Sequence, residues 1–104
     1  MIEKKFLKSK PVCKATFTLP VEAAPDAKEV SLIGEFNDWD IANAIPLKKS
    51  AKAGVYKALV ELETGKSYEF RYLIDGETWE NDWAADAYTA SPFGEENSVV
   101  STLN

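Results

Sequence analysis

In Lys66-Ser67-Tyr68-Glu69-Phe70-Arg71-Tyr72-Leu73-Ile74-Asp75, apolar and polar residues alternate with period two, and this alternation decides the fold. Tyr68, Phe70, Tyr72 and Ile74 point one way; Ser67, Glu69, Arg71 and Leu73 point the other. The aromatic set must face a core, because burying an unpaired Arg or Glu is costly. Arg71 is therefore expected on an outward face.

The same pattern recurs on either side. Residues 55–62 place Tyr56, Ala58, Val60 and Leu62 inward, and Glu63-Thr64-Gly65-Lys66 predicts a hairpin turn joining them to the Tyr68 strand. Residues 12–19 set Ala15, Phe17 and Leu19 against Lys14, Thr16 and Thr18. Residues 30–36 predict a strand with Val30, Leu32 and Phe36 inward, and with Gly34 where a neighbour comes close. Residues 97–103 supply a last strand. Pro20, Pro25-Asp26, Asn37-Asp38, Asp75-Gly76 and Ser91-Pro92-Phe93-Gly94 mark the breaks between them. No long 3.6-residue period appears, so short strands at near-regular spacing predict an all-β fold, an antiparallel β-sandwich. Residues 11–104 are expected to form this single domain, with residues 1–10 a segment lying loosely on it.

Composition narrows the function. The 104 residues are 45% hydrophobic and 28% charged, enough for one core and too few for two domains. Twelve Lys+Arg against seventeen Asp+Glu give a net charge of -5, which disfavours nucleic acid and anionic membranes as partners. Uncharged partners such as neutral sugars lose nothing by it. Without histidine there is no His-based acid–base chemistry and no His-ligated metal. One cysteine, Cys13, can make neither an internal disulfide nor a thiolate cluster, and it suits a reducing compartment. No stretch is apolar enough to span a bilayer, and no apolar run follows the basic residues of 1–8 to serve as a signal peptide. A cytoplasmic location is the expectation.

Three tryptophans fall beside turns instead of within the alternating runs. Trp39 lies between Asp38 and Asp40, Trp79 follows Asp75-Gly76, and Trp83 follows Asn81-Asp82. Such rings can plug the ends of a sandwich. They can also serve as flat platforms for the C–H faces of glucose while Arg, Asn or Glu side chains take its hydroxyls. Stiff aromatic side chains lose little conformational entropy in that role, and exposed aromatic surface usually marks a binding site. Catalysis finds less support. Glycoside hydrolysis needs a cleft and a carboxyl of raised pKa, whereas Asp38, Asp40, Asp75, Asp82 and Asp86 all sit where Asp caps turns. No regular oxygen-ligand loop surrounds Asp82 and Asp86 to hold calcium. Neither catalytic residues nor a cofactor are expected.

The order of Val30-Ser31-Leu32-Ile33-Gly34-Glu35-Phe36-Asn37-Asp38-Trp39, Pro46-Leu47, Phe70-Arg71-Tyr72-Leu73-Ile74-Asp75-Gly76 and Asn97-Ser98-Val99-Val100 resembles the family 48 carbohydrate-binding modules. These are also called isoamylase N-terminal or early-set domains, and they include the glycogen-binding domain of the AMP-activated protein kinase β subunit. The resemblance runs over residues 12–102. It implies an immunoglobulin-like sandwich of early-set type that binds α-1,4-linked glucan, as polysaccharide or maltooligosaccharide, without catalysis. By the same resemblance Trp39 and Trp79 stack on sugar, Arg71 and Asn97 contact its hydroxyls, and Phe93 projects into the ring of the bound chain. Two residues, Glu77 and Thr78, separate Asp75-Gly76 from Trp79, one more than in the kinase-type module, so Trp83 is a candidate to share the second stacking role. Glu95 stands where that module has a sugar-contacting threonine. The expectation is a stand-alone glucan-binding module, with a glycogen-metabolising enzyme as a candidate partner. The alternative is a protein-interaction module on the same scaffold, with the tryptophans in the interface.

Overall fold

The computed structural model describes residues 2–90 and 95–103. Among these residues ten strands run in chain order: β1 (Ile2–Phe6), β2 (Val12–Pro20), β3 (Val30–Gly34), β4 (Ile45–Pro46), β5 (Lys48–Ser50), β6 (Val55–Glu63), β7 (Ser67–Ile74), β8 (Thr78–Glu80), β9 (Ala87–Ala90) and β10 (Glu96–Ser101). They form two antiparallel sheets, one in the order β1-β2-β6-β5 and the other in the order β4-β3-β7-β10-β9, with β8 also paired to β7. The only helical segments among the described residues are short 3-10 turns, so the protein is an all-β, immunoglobulin-like sandwich. No helix among them is long and apolar enough to cross a membrane.

The period-two pattern is realised as packing. Ala15, Phe17 and Leu19 from β2 meet Val30 and Leu32 from β3 and Phe70, Tyr72 and Ile74 from β7 in one buried cluster. Phe70 packs edge-on against both Phe17 and Tyr72, with ring centroids 5.0 and 5.7 Å away, the geometry that aromatic quadrupoles favour.

Two expectations are corrected. Residues 55–62 and the Tyr68 strand do not form a hairpin: β6 and β7 lie in different sheets, and residues 63–66 arch between them. β6 pairs instead with β2 along nine residues, where Phe17 sits opposite Ala58 and Ala15 opposite Val60. Large residues facing small ones fill the inner face evenly, and that pairing outcompetes the local turn. Thr102 pins the arch, its hydroxyl donating to the Glu63 carbonyl at 2.7 Å and accepting from Lys66 N at 3.1 Å. The second correction concerns the N-terminal segment. Ile2–Phe6 is an edge strand in register with β2, from Ile2 opposite Phe17 to Phe6 opposite Cys13. Lys4 reaches across to Asp86 in an ion pair of 2.6 Å.

β3 ends at Gly34, earlier than the predicted strand, and Phe36 packs on the core from a 3-10 turn, Glu35–Asn37. Gly34 is needed for space. A Cβ there would sit 2.5 Å from the Glu69 carbonyl oxygen and 2.7 Å from the Phe70 Cβ.

Candidate carbohydrate site

The register of the larger sheet assembles a site on its outward face. Ile33 opposes Arg71, Leu73 opposes Trp79, and Asn97 opposes Thr89. Facing residues in a ladder project to the same side, so Arg71 and Trp79 share the outer surface of β7 and β8. Asn97 joins them, because Arg71 Nε donates to Asn97 Oδ1 at 2.6 Å. The aromatic ring, the guanidinium and the amide thus come from three strands, two of which, β7 and β10, hold Phe70, Tyr72, Ile74 and Val100 in the core.

A polar network fixes these groups. Asn97 Nδ2 donates to Glu69 Oε1 at 3.2 Å, and the Thr89 hydroxyl donates to the same carboxylate. Arg71 Nη1 pairs with Glu95 Oε2 at 2.7 Å, leaving the Arg71 side chain 12% exposed and that of Glu95 68% exposed. A shallow groove of about 520 Å³ lies alongside, lined by Arg71, Thr78, Trp79, Asn81 and the glutamates 77, 80, 95 and 96. Trp79 is 38% exposed at its wall.

Trp39 belongs to the neighbouring loop and is absent from the groove's described lining. It is 37% exposed, not sealed in the end of the sandwich. Its backbone is left-handed at φ 56°, directly after Asp38 at φ 57°. Two consecutive non-glycine residues in that region are strained by about 1–2 kcal/mol each, and they persist only where the surroundings over-determine them. Here Asn37 does much of this. Its Oδ1 accepts from Gly34 N at 2.9 Å, and its Nδ2 donates to the Asn43 carbonyl at 3.1 Å. Trp39 N donates to the Gly34 carbonyl at 2.9 Å, and Asp40 caps the next turn through Ala42 N at 3.0 Å. Glu35 Oε1 accepts from Glu69 N at 2.6 Å and so moors the loop to β7 two residues before Arg71. Along β7, Arg71 lies between that mooring and Leu73, the partner of Trp79. The two points are about 13 Å apart at the usual strand rise.

Of the other expected residues, Trp83 is the most exposed tryptophan, at 54%, and it too is absent from the described lining. Phe93 lies outside the described residues.

Sequence reasoning missed the buried polar centre behind the groove. Asp82 caps a turn as expected, with Oδ1 accepting from Ala84 N at 2.8 Å, but it is also 1% exposed. The Tyr72 hydroxyl donates to Asp82 Oδ2 at 2.7 Å, and Asp82 N donates to Ser98 Oγ at 2.9 Å. Ser98 Oγ in turn donates to Asn81 Oδ1 at 2.8 Å. Burial first, then the Asp82 carboxylate, push the Tyr72 phenol far above its ordinary value of 10.0, so it stays a donor. This chain of bonds ties the segment after Trp79 to β7 and β10. One signal was available: an inward tyrosine needs a partner for its hydroxyl.

A sequence model of carbohydrate-binding module 48 (isoamylase N-terminal domain) matches residues 21–89. The chain is also 38% identical over 60 residues to a 1,4-alpha-glucan branching enzyme, GlgB, of Aquifex aeolicus (strain VF5). That similarity takes in 57% of this chain but 9% of the enzyme, so the chain spans a small part of this relative. The family match embraces the Phe36-Asn37-Asp38-Trp39 loop, β7 and β8, and it extends over more than half of the chain. On that match, and with the two-sheet architecture around it, the chain belongs to the carbohydrate-binding module 48 family, the isoamylase N-terminal domains.

Proposed function

We propose that the protein binds α-1,4-linked glucan on the outward face of its larger sheet and performs no chemistry on it. The observation that carries this reading is the placement of Trp79 beside Arg71 and Asn97 on one exposed face. The Trp79 indole takes the apolar face of a glucose unit, and the polar network supplies donors and acceptors for its hydroxyls. Trp39 offers a second ring, held out by a strained and heavily hydrogen-bonded loop. The likeness to a branching enzyme supports glycogen-type chains as the ligand and a glycogen-metabolising enzyme as a partner. A free, buried Cys13 fits a reducing, cytoplasmic setting. Affinity is modest, because a shallow platform buries little of each sugar.

Native electrophoresis through a gel containing glycogen tests the proposal. The wild type is retarded, and Trp79→Ala and Trp39→Ala each lose the retardation while keeping the wild-type melting transition. Identical migration of the wild type with and without glycogen refutes it and leaves the interaction-module reading in its place.

A further inference from the structure

We infer that Glu95 makes the groove a charge filter, admitting uncharged α-glucan and rejecting chains that carry phosphate monoesters. This rests on the proposed glucan site. Arg71 is the one cation among the described residues of the groove, and its guanidinium is paired with Glu95 at 2.7 Å. A free guanidinium there would present the planar fork that phosphate prefers. With that fork engaged, the carboxylates of Glu77, Glu80 and Glu96 leave the lining negative. Glu69 adds a further carboxylate two residues before Arg71 on the same face of β7, already shared by Asn97 and Thr89. Neutral sugar hydroxyls can donate hydrogen bonds to such carboxylates. A phosphate monoester, with a charge of about -1.5 to -2 near neutral pH, is repelled by them.

The test is calorimetric titration with maltoheptaose and with maltoheptaose bearing one phosphate monoester, at about 0.02 M and about 0.5 M salt. The wild type prefers the neutral chain by about tenfold at low salt, and screening shrinks the preference at high salt. Glu95→Gln frees the guanidinium and cuts the low-salt preference to about twofold or reverses it. Glu95 is exposed, so this change leaves the core untouched. Glu61→Gln, on β6 of the opposite sheet, keeps the full preference. Equal binding of both chains by the wild type, or a preference that Glu95→Gln leaves intact, overturns the filter alone. No binding of either chain overturns the glucan site and the filter with it.

Discussion

Arg71 and Asn97 are joined across β7 and β10 by a 2.6 Å hydrogen bond, so the cation and the amide of the site act as one unit. Asn97→Ala removes the acceptor that aims the guanidinium and the donor that holds Glu69. Glucan affinity is expected to fall about five- to tenfold, the worth of one hydrogen bond and a lost orientation. Calorimetric titration with maltoheptaose measures it; an unchanged dissociation constant contradicts the role given to Asn97.

Asn37→Ala is expected to cost about 1–3 kcal/mol, because it strips partners from Gly34 N and from the Asn43 carbonyl. The loop then has less to oppose the left-handed backbone at Trp39. Urea denaturation reads the stability. Tryptophan fluorescence of the folded variant should shift as well, and a stability loss without that shift would separate Asn37 from the display of Trp39.

Gly34→Ala is expected to destabilise by about 1–3 kcal/mol. The added methyl meets the Glu69 carbonyl and the Phe70 Cβ, neither of which is a flexible side-chain tip. The backbone at Gly34 is extended, so the penalty comes from space and not from torsion. A denaturant midpoint equal to that of the wild type would show that β3 and β7 can part at no cost.

Tyr72→Phe removes a donor from the buried Asp82 carboxylate and is expected to cost about 1.5–3 kcal/mol. The wild type carries a matching alkaline signature. The folded phenol is raised above its unfolded value, so the unfolded chain releases the proton first as pH climbs. The Tyr72 contribution is whole below about pH 10 and declines above it, by up to about 1.4 kcal/mol per pH unit. Denaturation series between pH 8 and pH 11, compared for the wild type and Tyr72→Phe, measure this. Parallel curves for the two proteins would remove Tyr72 from the effect.

Period-two alternation was enough to identify the inward faces of β2, β6 and β7, because a pleated strand sends successive side chains to opposite sides whatever it pairs with. The outward direction of Arg71 and the loop setting of Trp39 followed from the same local rules. Which strands pair is not a local property. β6 pairs with β2 and not with β7 along nine facing positions, with Phe17 against Ala58 and Ala15 against Val60 on the inner face, and residues distant in the chain supplied that fit. Asp82 read as a turn residue because its partners, Tyr72 and Ser98, lie on β7 and β10. The Arg71–Glu95 ion pair, which engages the guanidinium beside the groove, likewise required two segments to fold together. Sequence by itself determined what β2, β6 and β7 turn inward and where the rings fall along the chain. Tertiary structure alone decided which outward groups meet, because cross-strand register is set by packing summed over both sheets.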